Sequence, residues 1–124
     1  MDVVLWVVAG LLAAVFLFSG ATKVLRSREQ LIASGLGLYA GWRPVEIKAI
    51  GALEVLAAVG LILPAVTGIA PVLVPLAATG LAVTMAGAMV VHARRGEFSW
   101  LAPNLALLIL AAVVAWGRFG PYAF

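Results

Sequence analysis

The sequence predicts an all-α membrane fold: a bundle of four transmembrane helices, with a short amphipathic interfacial helix between the first and the second. Three observations predict it. Hydrophobic residues make up 65% of the chain and charged residues 10%, with a mean hydropathy of +1.19, whereas a soluble domain carries about 25% charged and about 45–50% apolar residues. Four apolar runs of membrane-spanning length are separated by short connections. The charges gather where those runs end. Together they describe one membrane domain over residues 1–124, with lipid as its main solvent.

The first span, about 3–23, carries no charge from Val3 to Thr22 and stops at Lys23, Arg26 and Arg28. At about 1.5 Å per residue it crosses about 30 Å of hydrocarbon. Ser19-Gly20-Ala21 has the small residues of a cleavage site, but acidic Asp2 and the length of the run argue against a signal peptide. In residues 27–42, Leu31, Ile32, Leu36, Leu38, Tyr39 and Trp42 share a helical face opposite Arg28, Glu29, Gln30, Ala33 and Ser34. Ser27 and Gln30 have capping-box spacing. Gly35, Gly37 and Gly41 weaken that helix, each by roughly 1 kcal/mol against alanine. The segment reads either as a membrane-lying connector or as a gate over whatever the helices enclose.

The second span, about 44–63, starts at Pro44, which suits a first helical turn, and stops at Pro64. It contains Glu54, the only acid well inside a span. The third, about 69–91, has Pro71 near its start, a kink expected at Pro75, and His92, Arg94 and Arg95 at its end. The fourth, about 100–116, is followed by Gly117 and Arg118. Lys23, Arg26, Arg28, Arg43, Lys48, Arg94 and Arg95 fall on one side, and Arg118 on the other. The positive-inside rule makes the first side cytoplasmic, with both termini outside a multi-pass cell-membrane protein. The aromatic residues agree: Tyr39, Trp42 and Trp100 fall at the inner interface, and Trp6, Trp116 and Tyr122 at the outer one.

Composition also excludes functions. With no cysteine, thiolate catalysis and cysteine-held metal or iron–sulfur centres are ruled out. The single histidine rules out a bis-histidine haem within one chain. A net charge of +3 suggests nucleic acid in a soluble protein. Here the basic residues flank apolar runs, so bilayer topology and lipid headgroups are the partners expected, and nucleic acid is not. Met85, Met89 and His92 form a stripe better read as core than as metal ligands, and no metal is expected.

The polar residues inside the spans sort by depth. Lys23 ends the first helix on the inner side, with Ser19 one turn away on the same face. Glu54 lies about 9 Å deeper than Lys48. Thr84, Ala88 and His92 approximate one face of the third helix, and Asn104 lies near the start of the fourth. All four helices thus bring a polar group to the inner half, and the outer half has essentially none. A charge in the hydrocarbon needs a partner, a water cavity or a function. One reading is a ligand site opening near the inner leaflet, with Lys23 and Glu54 as its charged pair. The other is a buried bridge that fixes helix register, supported by Ser19, His92 and Asn104. The small-residue faces Gly51–Glu54–Ala58 and Gly80–Thr84–Ala88 predict close helix approach.

Phe18-Ser19-Gly20-Ala21-Thr22-Lys23-Val24, Ile50-Gly51-Ala52-Leu53-Glu54-Val55-Leu56, Leu61-Ile62-Leu63-Pro64, the stretch from Gly80-Leu81-Ala82 through Gly87-Ala88 to His92-Ala93-Arg94-Arg95-Gly96-Glu97, and Asn104 resemble the DoxX-like family of small four-helix membrane proteins. The resemblance covers essentially the whole chain. It implies a link to membrane oxidoreductase systems, through relatives similar to a subunit of a thiosulfate:quinone oxidoreductase, and more distantly to membrane chaperones and cargo receptors. It carries Ser19, Lys23, Glu54, His92 and Asn104 over as site positions, and a quinone as the kind of cofactor to consider.

Three functions follow. The first is an accessory or ligand-binding subunit for a lipophilic molecule such as a quinone: Lys23 holds a carbonyl or anionic oxygen with Ser19, Thr84 and Asn104 around it, Glu54 balances charge or relays a proton, and His92 exchanges protons. The second is a stand-alone acid–base isomerase or cyclase on an isoprenoid or lipid-like substrate, with Glu54 as acid and His92 as base. The third is a scaffold or assembly factor that binds a membrane protein, or a second copy of itself, through its helical faces. Transport has little room in four short helices.

Overall fold

The protein is described by a computed structural model covering residues 2–124, apart from the side chain of Leu38. Five α-helices form the fold: α1 (Asp2–Leu25), α2 (Arg28–Ala33), α3 (Pro44–Thr67), α4 (Leu73–Arg94) and α5 (Leu101–Phe119), with short 3-10 turns at Gly37–Gly41 and Phe98–Trp100. Among the described residues there is no strand. The four long helices are long and apolar enough to cross a membrane. They run up-down-up-down. α1 lies most closely on α3 and α4 on α5, and the α3–α4 and α1–α5 contacts close the ring. One end, here the basic end, holds Leu25, Pro44, Arg94 and Leu101; the other, the terminal end, holds Asp2, the α3–α4 turn and Phe119.

The outward faces are apolar. Phe18 is 72% exposed, and Leu56 and Val83 are nearly as open. In water this surface would be costly, at about 25 cal/mol per Å²; in hydrocarbon it is at home. Inside, Leu12, Phe16, Ala58, Leu61, Val74, Ala78, Leu81, Met85, Ala111 and Val114 form one core. Because lipid tails are as apolar as leucine, such a core does not by itself hold helices together in a bilayer. Close backbone fit and polar contacts must do so.

The closest fit is between α1 and α3. A Cβ on Gly20 would lie 2.5 Å from the Gly51 carbonyl oxygen, and one on Gly51 would lie 2.6 Å from the Lys23 Cβ. Only glycines permit this approach. It sets the register: Lys23 and Glu54, each three residues beyond its glycine, meet across the same seam. The Gly51–Glu54–Ala58 face therefore packs as its spacing predicts, with all three residues buried. The Gly80–Thr84–Ala88 face does not. Gly80 has no neighbour where a Cβ would stand, and both Gly80 and Thr84 are exposed. Ala88, nearer the basic end of that face, is half-buried.

Element boundaries differ from the sequence reading in three places. α3 continues beyond Pro64 to Thr67, ending where the Gly68 N–H donates to the Pro64 carbonyl. Pro64 removes one bond, to the Gly60 carbonyl, a loss that transmembrane helices tolerate. α4 starts at Leu73 rather than 69, which puts Pro75 in the first turn, where the missing N–H has no helical acceptor to lose, and the reason for a kink disappears. The predicted interfacial helix is split. Ser27 and Gln30 do form a capping box, but α2 ends after one and a half turns, and Gly35 adopts φ +104°. The chain then folds back: Leu31, Tyr39 and Ile47 make a second buried cluster with Ile32, Leu36, Trp42 and Val91 packed on it. The segment is therefore docked against the bundle. The Leu38 side chain, assigned to the same apolar face by sequence, lies outside the described residues.

Candidate functional site

At the basic end the four long helices surround a cavity of about 580 Å³. Each helix presents a polar side chain to it: Ser19, Thr22 and Lys23 from α1, Glu54 from α3, Thr84 and His92 from α4, and Asn104 from α5. All six residues singled out from the sequence line this one space. The remaining wall is apolar and aromatic, with Phe16, Ile50, Met85 and Leu107 deeper in and Tyr39, Trp42 and Trp100 toward the end of the bundle. Phe18, Gly87 and Pro103 also line it while being exposed. The cavity thus extends to the lipid-facing surface.

Its charged centre is Lys23 and Glu54, 2.8 Å apart. Lys23 Nζ also donates to Ser19 Oγ at 2.6 Å, one helical turn back. Thr22 Oγ1 donates to the Ser19 carbonyl. Glu54 is buried, but the Lys23 side chain keeps 12% of its surface accessible, so the pair is partly rather than wholly buried. Lys48 is exposed and donates to the Val24 carbonyl.

Asn104 is 8% exposed, and its Nδ2 has no acceptor within the protein. An unpartnered amide N–H₂ in an apolar setting costs about 1–3 kcal/mol. This side chain therefore offers a donor to whatever enters the cavity. Thr84 is the outlier: it stands at the exposed wall, and its hydroxyl donates to the Gly80 carbonyl of its own helix.

His92 is positioned by the end of α4. Gly96, at φ +72°, reverses the chain so that the Gly96 and Glu97 N–H groups donate to the Ala93 and His92 carbonyls, a helix stop that glycine permits. That turn brings the Glu97 carboxylate 3.2 Å from His92 Nδ1, while Trp100 stacks on the imidazole with centroids 5.4 Å apart. Burial pushes the Glu97 carboxyl up, but hydrogen bonds from His92 and Arg95, with their charges, outweigh it and hold it below the usual carboxylate range. An ionised carboxylate can only accept, so Nδ1 carries the hydrogen, and in a neutral ring Nε2 is left as the acceptor.

Tyr39, at the basic end like the aromatic residues expected there, is buried, stands edge-on to Trp42 and lines the cavity. Burial, reinforced by the negative charge of Glu54, pushes its hydroxyl up to about 12. Sequence reasoning missed Tyr39, and also Glu97 as the partner of His92. A Gly following Arg94-Arg95 was the available signal for Glu97; nothing local signalled Tyr39.

The terminal end corrects one expectation outright. Its half of the bundle is not free of polar groups: Arg118 is buried, and its Nη1 donates to Asp2 at 2.6 Å and to the Tyr122 carbonyl at 2.9 Å. The Arg118 guanidinium lies 3.9 Å from the Phe124 ring centroid and 5.9 Å from that of Trp6. The residue read as a lone topology signal is a buried tie between the two ends of the chain.

These features define a multi-pass membrane protein whose four long helices enclose, at one end of the bundle, a cavity with polar groups from every helix. The model of the DoxX-like family matches residues 7–114, and the chain belongs to that family. No curated protein and no solved structure matches it.

Proposed function

We propose that this chain is an accessory, ligand-binding subunit of a membrane oxidoreductase system, and that its cavity holds a quinone or a similarly lipophilic carbonyl compound. The observation that carries this reading is the cavity's chemistry: an apolar and aromatic space within the bilayer, reaching the lipid-facing surface, with the buried donor of Asn104 left unpartnered. At about 580 Å³ its size is that of small-molecule sites, typically about 300–1,000 Å³. Carbonyl oxygens are acceptors, so a quinone suits Asn104 Nδ2 and the Lys23 ammonium. When bound, such a group supplies electron transfer. The chain's own residues would hold it: Asn104 and Lys23 would donate, Ser19 and Glu54 keep the ammonium in place, and Trp42 and Trp100 supply aromatic wall. Glu97 keeps His92 oriented, with Nε2 free to accept a proton.

Tryptophan quenching tests this. Trp42 and Trp100 line the cavity, so a short-chain quinone added to the reconstituted protein is expected to quench their emission saturably. Asn104→Leu should weaken that binding about tenfold or more, by removing the donor. Unsaturable quenching that is the same in Asn104→Leu would rule the reading out.

A second reading, a stand-alone acid–base enzyme on an isoprenoid-like substrate, draws support from Glu54 and the Glu97-bound His92 facing one cavity. Turnover of a co-purifying lipid by the isolated chain, lost in both Glu54→Gln and His92→Gln, favours it over the subunit reading. A scaffold role draws on the unpacked Gly80–Thr84 face; a membrane-protein partner lost in Gly80→Leu would favour that instead.

A further inference from the structure

A second recess lies outside the cavity, between the end of α1, the start of α2 and the first turns of α3. Its volume is about 380 Å³, and Arg26, Arg28, Lys48, Ser27, Gln30 and Pro44 are among its walls. It shares Lys23 with the cavity, but that ammonium is engaged by Ser19 and Glu54. The other three cations have little to neutralise them. Arg26 makes no ion pair or side-chain hydrogen bond among the described residues. Lys48 Nζ meets only the Val24 carbonyl. Arg28 donates from Nη1 to the Trp42 carbonyl and lies 3.5 Å from the exposed Glu29 carboxylate, while its Nε is buried with no acceptor.

Elsewhere at this end Arg43 has Glu46 and Arg95 has Glu97, and among the described residues Arg94 stands alone at the end of α4. The recess is where three weakly matched cations stand together. Its depth is informative too. Leu25, which lines it, and Val45, next in the chain to its wall residue Pro44, are both strongly exposed. Apolar side chains facing outward beside cations mark the level where acyl chains give way to headgroups. An ion in free solution has no use for those apolar flanks; a lipid has.

We infer that this recess is a phosphate site, filled by the headgroup of an anionic phospholipid in the adjoining leaflet, with Arg26, Arg28 and Lys48 on the phosphate and the acyl chains along Leu25 and Val45. A zwitterionic headgroup is disfavoured, because its ammonium would meet three cations against the single Glu29 carboxylate that also lines the recess. The site is independent of what the cavity binds.

Native mass spectrometry of the full chain in detergent tests it, with phosphatidylglycerol, phosphatidylcholine and inorganic phosphate as probes. One phosphatidylglycerol per chain should be retained in preference to phosphatidylcholine. Arg26→Gln/Lys48→Gln should reduce that preference by roughly tenfold or more, two cations having been removed from the headgroup level. The charge-matched control Arg43→Gln/Arg94→Gln should leave it nearly unchanged, and both variants should keep the wild-type helical circular dichroism. Equal retention of the two lipids by the wild type overturns the inference. So does an equal loss in the control variant, which would make the effect one of general surface charge. Displacement of the lipid by millimolar phosphate overturns the lipid as occupant.

Discussion

The two ends of the bundle each contain a buried or half-buried ion pair, built in opposite ways. At the terminal end, Arg118 is enclosed: Asp2 and the Tyr122 carbonyl take its N–H groups, and Trp6 and Phe124 pack on its faces. Its side chain keeps only 3% of its surface accessible. At the basic end, Lys23 and Glu54 face a cavity of about 580 Å³, beside a buried amide donor without an acceptor. A pair that only ties helices together needs its surroundings filled. A pair that serves a ligand needs them open and its donors available. The comparison teaches that burial of charge alone does not separate the two roles, whereas the state of the neighbouring polar atoms and space does.

Substitutions can break this contrast, and the largest effect is expected at Glu54. Glu54→Gln keeps the shape but removes the charge opposite Lys23. Binding of a cavity ligand should fall about 10–100-fold, the worth of a hydrogen-bonded charge of about 1.5–3 kcal/mol, as read by tryptophan quenching. Gly51→Ala comes next. Its Cβ would press on the Lys23 Cβ and the Gly20 carbonyl, so α1 and α3 must separate. A stability loss of about 1–3 kcal/mol is expected from overpacking, together with weakened ligand binding, in reversible denaturation within mixed micelles.

Arg118→Met sharpens the comparison from the other side. Asp2 is largely exposed and is not stranded by the change. The loss should be about 1–2 kcal/mol, from one charged hydrogen bond and the ring contacts, with ligand affinity unaltered. A change in affinity equal to that of Glu54→Gln would erase the distinction between the ends. The smallest effect concerns Tyr39. Part of what holds its hydroxyl up at about 12 is the charge of Glu54. Difference absorbance near 295 nm should therefore show one tyrosine ionising well above pH 10, at lower pH in Glu54→Gln. The sign of the linkage follows: the neutral phenol is favoured in the fold, so its contribution is complete below about pH 10 and is lost as pH rises through about 12.

Much of this architecture can be read from the chain alone. Charge-free runs give the four helices, and charge at their ends gives the basic end. Ser19, Lys23, Glu54, Thr84, His92 and Asn104 could be grouped because distance along a helix becomes depth in a bilayer. What could not be read depends on the third dimension. Asp2 and Arg118 are 116 residues apart, and no periodicity links them. Tyr39 enters the cavity because the chain folds back after Gly35, where the amphipathic pattern continued as if one helix ran on. The Gly51 and Gly80 faces look alike in sequence; only the packing of the helices makes one a seam and leaves the other open. Small residues are so frequent here that spacing alone does not tell the two apart.

The most direct test of the central claim is to extract the protein together with its surrounding lipid, without detergent exchange, and identify what accompanies it by mass spectrometry and ultraviolet–visible absorption, with Glu54→Gln and Arg118→Met prepared alongside. The expected result is a stoichiometric quinone or other lipophilic carbonyl compound that is lost from Glu54→Gln and retained by Arg118→Met. A wild-type protein that carries no such molecule, or one retained equally by both variants, would contradict it and leave Lys23 and Glu54 as a bridge between helices.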